Sequence, residues 1–136
     1  MKKFLLSTKN TNTIDLALLI LRIGAGFLMI PNHGWKKLMN FSDVSEHFVS
    51  FLGMSPSISL AMAIFAELVC SLLIIFGLFT RLACLPLFVC MLMIFKVHEW
   101  NFLGPQEYPT LLLICYITVF LAGPGKFSLD KILLKK

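Results

Sequence analysis

Charged residues are scarce in this chain. Lysine, arginine, aspartate and glutamate make up 14% of its 136 residues, against about 25% in an ordinary soluble domain. Hydrophobic residues make up 58%, and most of them fall in four apolar runs. Too few polar side chains remain to cover a soluble surface, so the composition predicts one integral membrane domain over residues 1–136.

Patterns typical of several functional classes are also missing. No patch interleaves basic and aromatic residues, so the formal charge of +5 does not indicate nucleic-acid binding. No two cysteines form a Cys-x-x-Cys pair and no histidines have ligand spacing, so we expect neither a thioredoxin-type pair nor a metal site. No internal repeat is evident, which disfavours a transporter. No soluble domain is visible beside the spans, so we expect any catalytic partner to be another chain.

The four apolar runs predict an all-α fold, an integral membrane four-helix bundle. The predicted spans cover about residues 14–30, 58–79, 82–97 and 109–122. A crossing takes about 20 residues, although 17 are tolerated. Pro31 is expected to end the first span, because proline cannot continue the helical hydrogen-bond ladder.

Basic residues in the flanks of the spans predict the orientation. Cytoplasmic flanks of multispan proteins carry the excess of lysine and arginine, and here that excess lies on the side of both termini. We therefore expect the amino and carboxyl termini in the cytoplasm. The residues on that side are Lys2, Lys3, Lys9, Arg81, Lys126, Lys131, Lys135 and Lys136, against Lys36, Lys37 and Lys96 on the other.

Two segments outside the spans have an amphipathic pattern. In the first outer loop, "SDVSEHFVSFLG" places Val44, Phe48, Phe51 and Leu52 on one stripe, which predicts a short amphipathic helix lying over the bundle as a lid. The tail "FSLDKILLKK" is a second candidate, with Ser128 as its cap and its lysines facing anionic lipid.

Two charged residues lie inside the apolar spans. Counted from the cytoplasmic ends of their predicted helices, Arg22 lies about 12 Å and Glu67 about 18 Å into the membrane. Charges at such depths face the bundle interior and pair with one another. Small residues beside both groups allow the helices to approach closely. We therefore expect a structural ion pair between Arg22 and Glu67.

Further polar residues fall near the outer ends of the spans. His33, His98 and Glu107 are expected to converge with Glu67 and Arg22 beneath the lid, and these five residues are the candidate substrate-binding groups. Because histidine titrates near neutral pH, Glu67, His98 and His33 are the candidate catalytic residues. The simpler alternative is that the buried pair only fixes helix packing and that each histidine is an interfacial hydrogen-bonding residue.

Four stretches together resemble the DoxX family: "LRIGAGFLMIPNHGWKKL", "AIFAELVCSLLIIFGLFTRLA", "VHEW" and "GPGKFSLD". The resemblance implies a four-helix protein of the bacterial inner membrane that is linked to membrane redox chemistry. The positions that match the family motif are Arg22, His33, Gly34, Glu67, Arg81, His98, Gly123, Gly125 and Asp130.

Two functions remain open after this resemblance. The first is a quinone-linked redox subunit or accessory, with a polar small-molecule pocket in the outer half of the bundle. Its expected partners are membrane lipids, a redox partner subunit and a second copy of the chain. The alternative is a non-catalytic membrane scaffold or assembly factor.

Overall fold

The computed structural model describes residues 11–133, and the regular structure in this range is helical throughout. The helices are α1 (Thr11–Met39), α2 (Phe41–His47), α3 (Pro56–Phe76), α4 (Thr80–Val97), α5 (Glu107–Ala122) and α6 (Leu129–Leu133). A 3-10 turn, Gly104–Gln106, precedes α5. The lysines at positions 2, 3, 9, 135 and 136, which contribute to the predicted orientation, lie outside the described residues.

Three of these helices are long and apolar enough to cross a membrane, namely α1, α3 and α4. Helix α5 is also apolar but is shorter, at 16 residues. Large side chains such as Phe27, Phe76 and Leu121 are more than half exposed on the outer surfaces of the helices, as expected where lipid rather than water surrounds them. The prediction of an all-α membrane protein is therefore confirmed for the described part of the chain.

Helix α1 does not end at Pro31, and that prediction is wrong. The helix is regular over Thr11–Met29, widens into a π-helical segment at Ile30–Trp35 and returns to α-helix at Lys36–Met39. Pro31 lies at the start of the wider segment, where the hydrogen-bond ladder changes register and a missing N–H is tolerated. Lys36 and Lys37 consequently belong to the helix and not to a loop.

Close contact between α1 and α3 depends on two glycines. A Cβ atom on Gly26 would lie within 3 Å of the Ile75 side chain, and one on Gly34 would come equally close to the Leu68 side chain. The helices run antiparallel, so Gly26 lies beside the carboxyl end of α3 and Gly34 lies beside its middle. A second π-helical segment, Ala66–Cys70, occupies that middle, so the two widened segments contact each other.

The four longer helices enclose one core. Helices α1 and α4 each pack against both α3 and α5. Met29, Leu87, Phe95, Tyr116 and Val119 are among the buried residues of this core. Each of these four helices thus turns one face inward and leaves an apolar face for lipid.

The predicted amphipathic lid is shorter than expected. Helix α2 ends at His47, and Phe48 is already extended, with φ −73° and ψ 142°. Of the predicted stripe, Val44 lies in the helix, whereas Phe48, Phe51 and Leu52 lie beyond it. The prediction of a continuous helical stripe through Leu52 is therefore wrong.

The carboxyl-terminal segment folds back onto the turn between α3 and α4. The Asp130 carboxylate accepts hydrogen bonds from the backbone N–H groups of Phe79 (2.7 Å) and Thr80 (3.0 Å) and from the Thr80 hydroxyl (2.9 Å). Ser128 accepts from the Lys131 N–H at 3.3 Å, so it caps α6 as the sequence predicts. Asp130 meanwhile caps α4, because its carboxylate satisfies N–H groups that have no partner within that helix.

Candidate functional site

Glu67 lies at the centre of the molecule. It belongs to the π-helical segment of α3 and is 1% exposed. Ala66 and Cys70, on either side of it, are also buried. A π-helical turn inserts one residue into an α-helix and is frequent at functional sites. The backbone conformation at Glu67 is therefore typical of a functional site.

The ion-pair partner of Glu67 is Lys37. The Lys37 Nζ lies 2.5 Å from the Glu67 Oε1, with side chains 25% and 2% exposed respectively. The predicted pair between Arg22 and Glu67 is therefore wrong. Lys37 follows His33 by four residues and so shares a helical face with it. This signal could have identified the true partner, had the helix been continued past Pro31.

The register of α1 against α3 explains why the similar predicted membrane depths of Arg22 and Glu67 do not bring them together. Gly34 lies against Glu67, whereas the Arg22 side chain reaches Ile74 near the carboxyl end of α3. Arg22 and Gly34 are 12 residues apart, which is about 18 Å along a helix. An arginine side chain does not span that distance, so the two charges belong to separate sites.

Arg22 joins the carboxyl-terminal segment to the helices. It is fully buried, and its guanidinium donates to the backbone carbonyls of Ile74 (3.3 Å) and Phe127 (2.5 Å). A Cβ on Gly77 would collide with the same guanidinium. We call Arg22, Gly77, Thr80, Phe127 and Asp130 the terminal clasp, since they connect α1, the α3–α4 turn and the returning tail.

Several buried polar atoms have no hydrogen-bond partner within residues 11–133. Among them are the second carboxylate oxygen of Glu67, Oε2, and the hydroxyl of Tyr108. His33 and Tyr108 lie on this side of Glu67, because Gly34, the neighbour of His33, lies against Glu67 and the His33 ring stacks on Tyr108. A buried polar atom without a partner lowers the stability of the fold by about 1–3 kcal/mol. The surroundings of Glu67 are therefore suited to a further hydrogen-bonding group.

The predicted histidines occupy different surroundings. The His33 ring stacks on Tyr108 with ring centroids 5.2 Å apart and planes inclined by 15°, so it joins α1 to α5. His98 is exposed at the end of α4, where its Nδ1 lies 2.8 Å from the carbonyl of Ile94. Glu107 is exposed in the first turn of α5. The structure therefore brings His33 close to Glu67 but leaves Glu107 at the surface.

A groove of about 700 Å³ runs between α3 and α4. It extends from Phe79 at the α3–α4 turn to Phe48 and His98 at the opposite end, and Lys37 and Glu67 form part of its wall. The other lining side chains are mostly apolar, and several of them, such as Met62 and Leu82, are exposed to the lipid side. Small-molecule sites have volumes of about 300–1,000 Å³ and just such apolar walls with a few polar groups.

No group of three or more histidine, cysteine, aspartate or glutamate residues within positions 11–133 is arranged to hold a metal ion. The four cysteines are free thiols, and two of them, Cys70 and Cys90, line the groove.

Comparison with known proteins gives the family. The DoxX family profile matches residues 17–100, a range that contains Arg22, His33, Lys37, Glu67 and His98. This chain belongs to the DoxX family. The predicted resemblance is thereby confirmed, and the protein is a membrane protein of that family.

A curated relative supports the membrane assignment of this DoxX-family protein. The inner membrane protein YphA of Escherichia coli (strain K12) is 27% identical over 124 residues, covering 84% of this chain and 88% of YphA. No solved structure matches the chain.

Proposed function

We propose that this DoxX-family protein binds a membrane quinone in the α3–α4 groove and serves as a redox subunit or accessory. The observation that carries the proposal is the ion pair between Lys37 and Glu67 in the wall of a long apolar groove. Apolar walls suit the hydrocarbon tail of a quinone, and polar groups at one point of a groove fix the head of such a ligand.

The proposed orientation follows from the positive-inside pattern of the sequence. Four crossings, with α5 as the fourth, place both termini in the cytoplasm of a bacterial inner membrane. The end of the groove at Phe48 and His98 then lies in the outer half of the membrane. Because the groove is bordered by lipid-exposed side chains such as Met62 and Leu82, the ligand enters sideways from the bilayer.

Lys37 and Glu67 have the positioning role in this proposal. Lys37 donates a hydrogen bond to the ligand head, while Glu67 holds the ammonium group in place. His98 lies at the mouth of the groove, and His33 supports the site from behind through its stacking on Tyr108. Electrons come from a partner chain, and a second copy of this chain is a further candidate partner.

Binding of a short-chain quinone analogue tests the proposal. A ligand at 100 times its dissociation constant stabilises a protein by about 2.7 kcal/mol, so thermal unfolding of the detergent-purified protein should shift upward by several degrees. Ala63→Phe should abolish the shift because Ala63 lines the groove. The matched control is Ala61→Phe, two residues away and exposed outside the groove. Equal shifts in both variants would contradict groove binding.

The alternative function is a non-catalytic scaffold or assembly factor. The terminal clasp favours it, because Arg22 and Asp130 use their hydrogen bonds to join parts of the same chain. For a scaffold, no quinone analogue should change the unfolding temperature of the wild-type protein, while Arg22→Met should still lower it strongly. A quinone-dependent shift that Ala63→Phe removes would exclude this alternative as the whole function.

A further inference from the structure

The Lys37–Glu67 pair presents a donor and an acceptor side by side. Lys37 uses one N–H on the Glu67 Oε1 and is still a quarter exposed, so its ammonium group has further N–H donors to offer. The other carboxylate oxygen, Oε2, is buried and has no partner within residues 11–133. Both side chains line the groove.

Different head groups match this arrangement to different degrees. A carbonyl oxygen accepts a hydrogen bond from Lys37 but has no hydrogen to donate to Glu67, and its lone pairs face those of the carboxylate. An ammonium donates to Glu67 but meets the charge of Lys37. A hydroxyl satisfies both groups at once, because its oxygen accepts from the ammonium while its hydrogen donates to the carboxylate.

We propose that the groove selects lipophilic molecules that carry a phenolic hydroxyl, which bridges Lys37 Nζ and Glu67 Oε2. The inference rests on the proposed quinone function and refines it: within a quinone–hydroquinone couple, the site binds the reduced, hydroxyl-bearing form more tightly. The reason is that the hydroxyl supplies the hydrogen bond that the buried carboxylate oxygen lacks inside the protein. A hydrogen bond to a charged group is stronger than one between neutral groups.

A series of ligands with one alkyl chain tests the selectivity on the wild-type protein. The probes are an alkyl phenol, its methyl ether, the alkylbenzene without oxygen, and the alkyl quinone, titrated calorimetrically in detergent. Losing a hydrogen bond to a charged group costs about 1.5–3 kcal/mol, so the phenol should bind about 10- to 100-fold more tightly than the methyl ether. The alkylbenzene, which adds no bulk but offers neither a donor nor an acceptor, should bind at least as weakly as the ether.

The outcomes separate this inference from the function it refines. If the phenol, ether and quinone bind with equal affinity, the groove function stands and the hydroxyl selectivity is overturned. If no member of the series binds, the proposed function is overturned and the selectivity with it. A phenol preference of about tenfold or more supports both.

Variants assign the selectivity to Glu67. Glu67→Gln keeps the shape of the side chain but removes its charge and adds an amide donor, so the phenol preference should shrink to about threefold and quinone affinity should rise. Glu46→Gln removes an exposed carboxylate in α2 and should leave the preference unchanged. An undiminished preference in folded Glu67→Gln would overturn the role of this carboxylate. If that variant does not fold, the wild-type ligand series still decides.

Discussion

Replacing Lys37 by methionine tests the central ion pair directly. Methionine keeps most of the length of the side chain but leaves Glu67, 2% exposed, without its positive partner. Removing one member of a buried pair costs about 3–5 kcal/mol, because the remaining charge is uncompensated. Lys37 is itself 25% exposed, so solvent screening reduces the expected loss to about 2–4 kcal/mol. For a chain of this length that loss lowers the unfolding temperature by about 10 °C.

The assay is thermal unfolding in detergent, with Lys36→Met as the matched control. Lys36 is the adjacent lysine of α1 and is exposed, so its replacement should change the unfolding temperature by less than about 2 °C. A double variant, Lys37→Met with Glu67→Leu, should recover most of the loss, since apolar replacement of a whole buried pair is often neutral. If Lys37→Met is as stable as Lys36→Met, the pair does not neutralise Glu67 and the assignment of this centre is refuted.

Three further substitutions test helix contacts and the terminal clasp by the same unfolding assay. Gly34→Ala should cost about 1–3 kcal/mol because its Cβ would press into α3, whereas Gly24→Ala, with open space around it, should be neutral or slightly stabilising. Gly77→Ala should lower the free energy of unfolding by about 2–4 kcal/mol, because Gly77 has a left-handed backbone and the new Cβ would clash with the Arg22 guanidinium. Its control is Gly53→Ala, where the backbone is also left-handed but the space around it is open, so the loss should be about 1 kcal/mol. Asp130→Ala should cost about 2 kcal/mol through the lost helix cap. Equal effects within either glycine pair, or an unchanged Asp130→Ala, would contradict the corresponding contact.

Local sequence features predicted most of the fold because they act over short distances. Long apolar runs identify α1, α3 and α4, and the carboxyl-terminal cap at Ser128 is found where the sequence places it. The predicted end of α1 at Pro31 is wrong because a π-helical segment accommodates this proline without ending the helix. That one error removed Lys37 from the helix and left Arg22 as the apparent partner of Glu67.

The candidate site was predicted only in part. Glu67 is identified because a carboxylate inside an apolar run requires compensation, and His33 adjoins Gly34, which lies against Glu67. The position of Glu107 and His98 at the helix ends predicts that they join this site. Glu107 is exposed and lies outside the groove, whereas His98 bonds to its own helix and still lines the groove together with Glu67. The catalytic and substrate-binding roles of these residues stay predictions.

Composition, the length of the apolar runs and motif order already indicate an all-α membrane protein of the DoxX family with a carboxylate, Glu67, inside a span, because these features do not depend on how the helices pack. Which positive charge compensates Glu67 depends instead on the packing of the helices. Antiparallel contact at Gly26 and Gly34 sets the register of α1 against α3, and register determines which side chains come within reach. This register pairs Glu67 with Lys37 and places the Arg22 guanidinium where it donates to the carbonyl of Phe127.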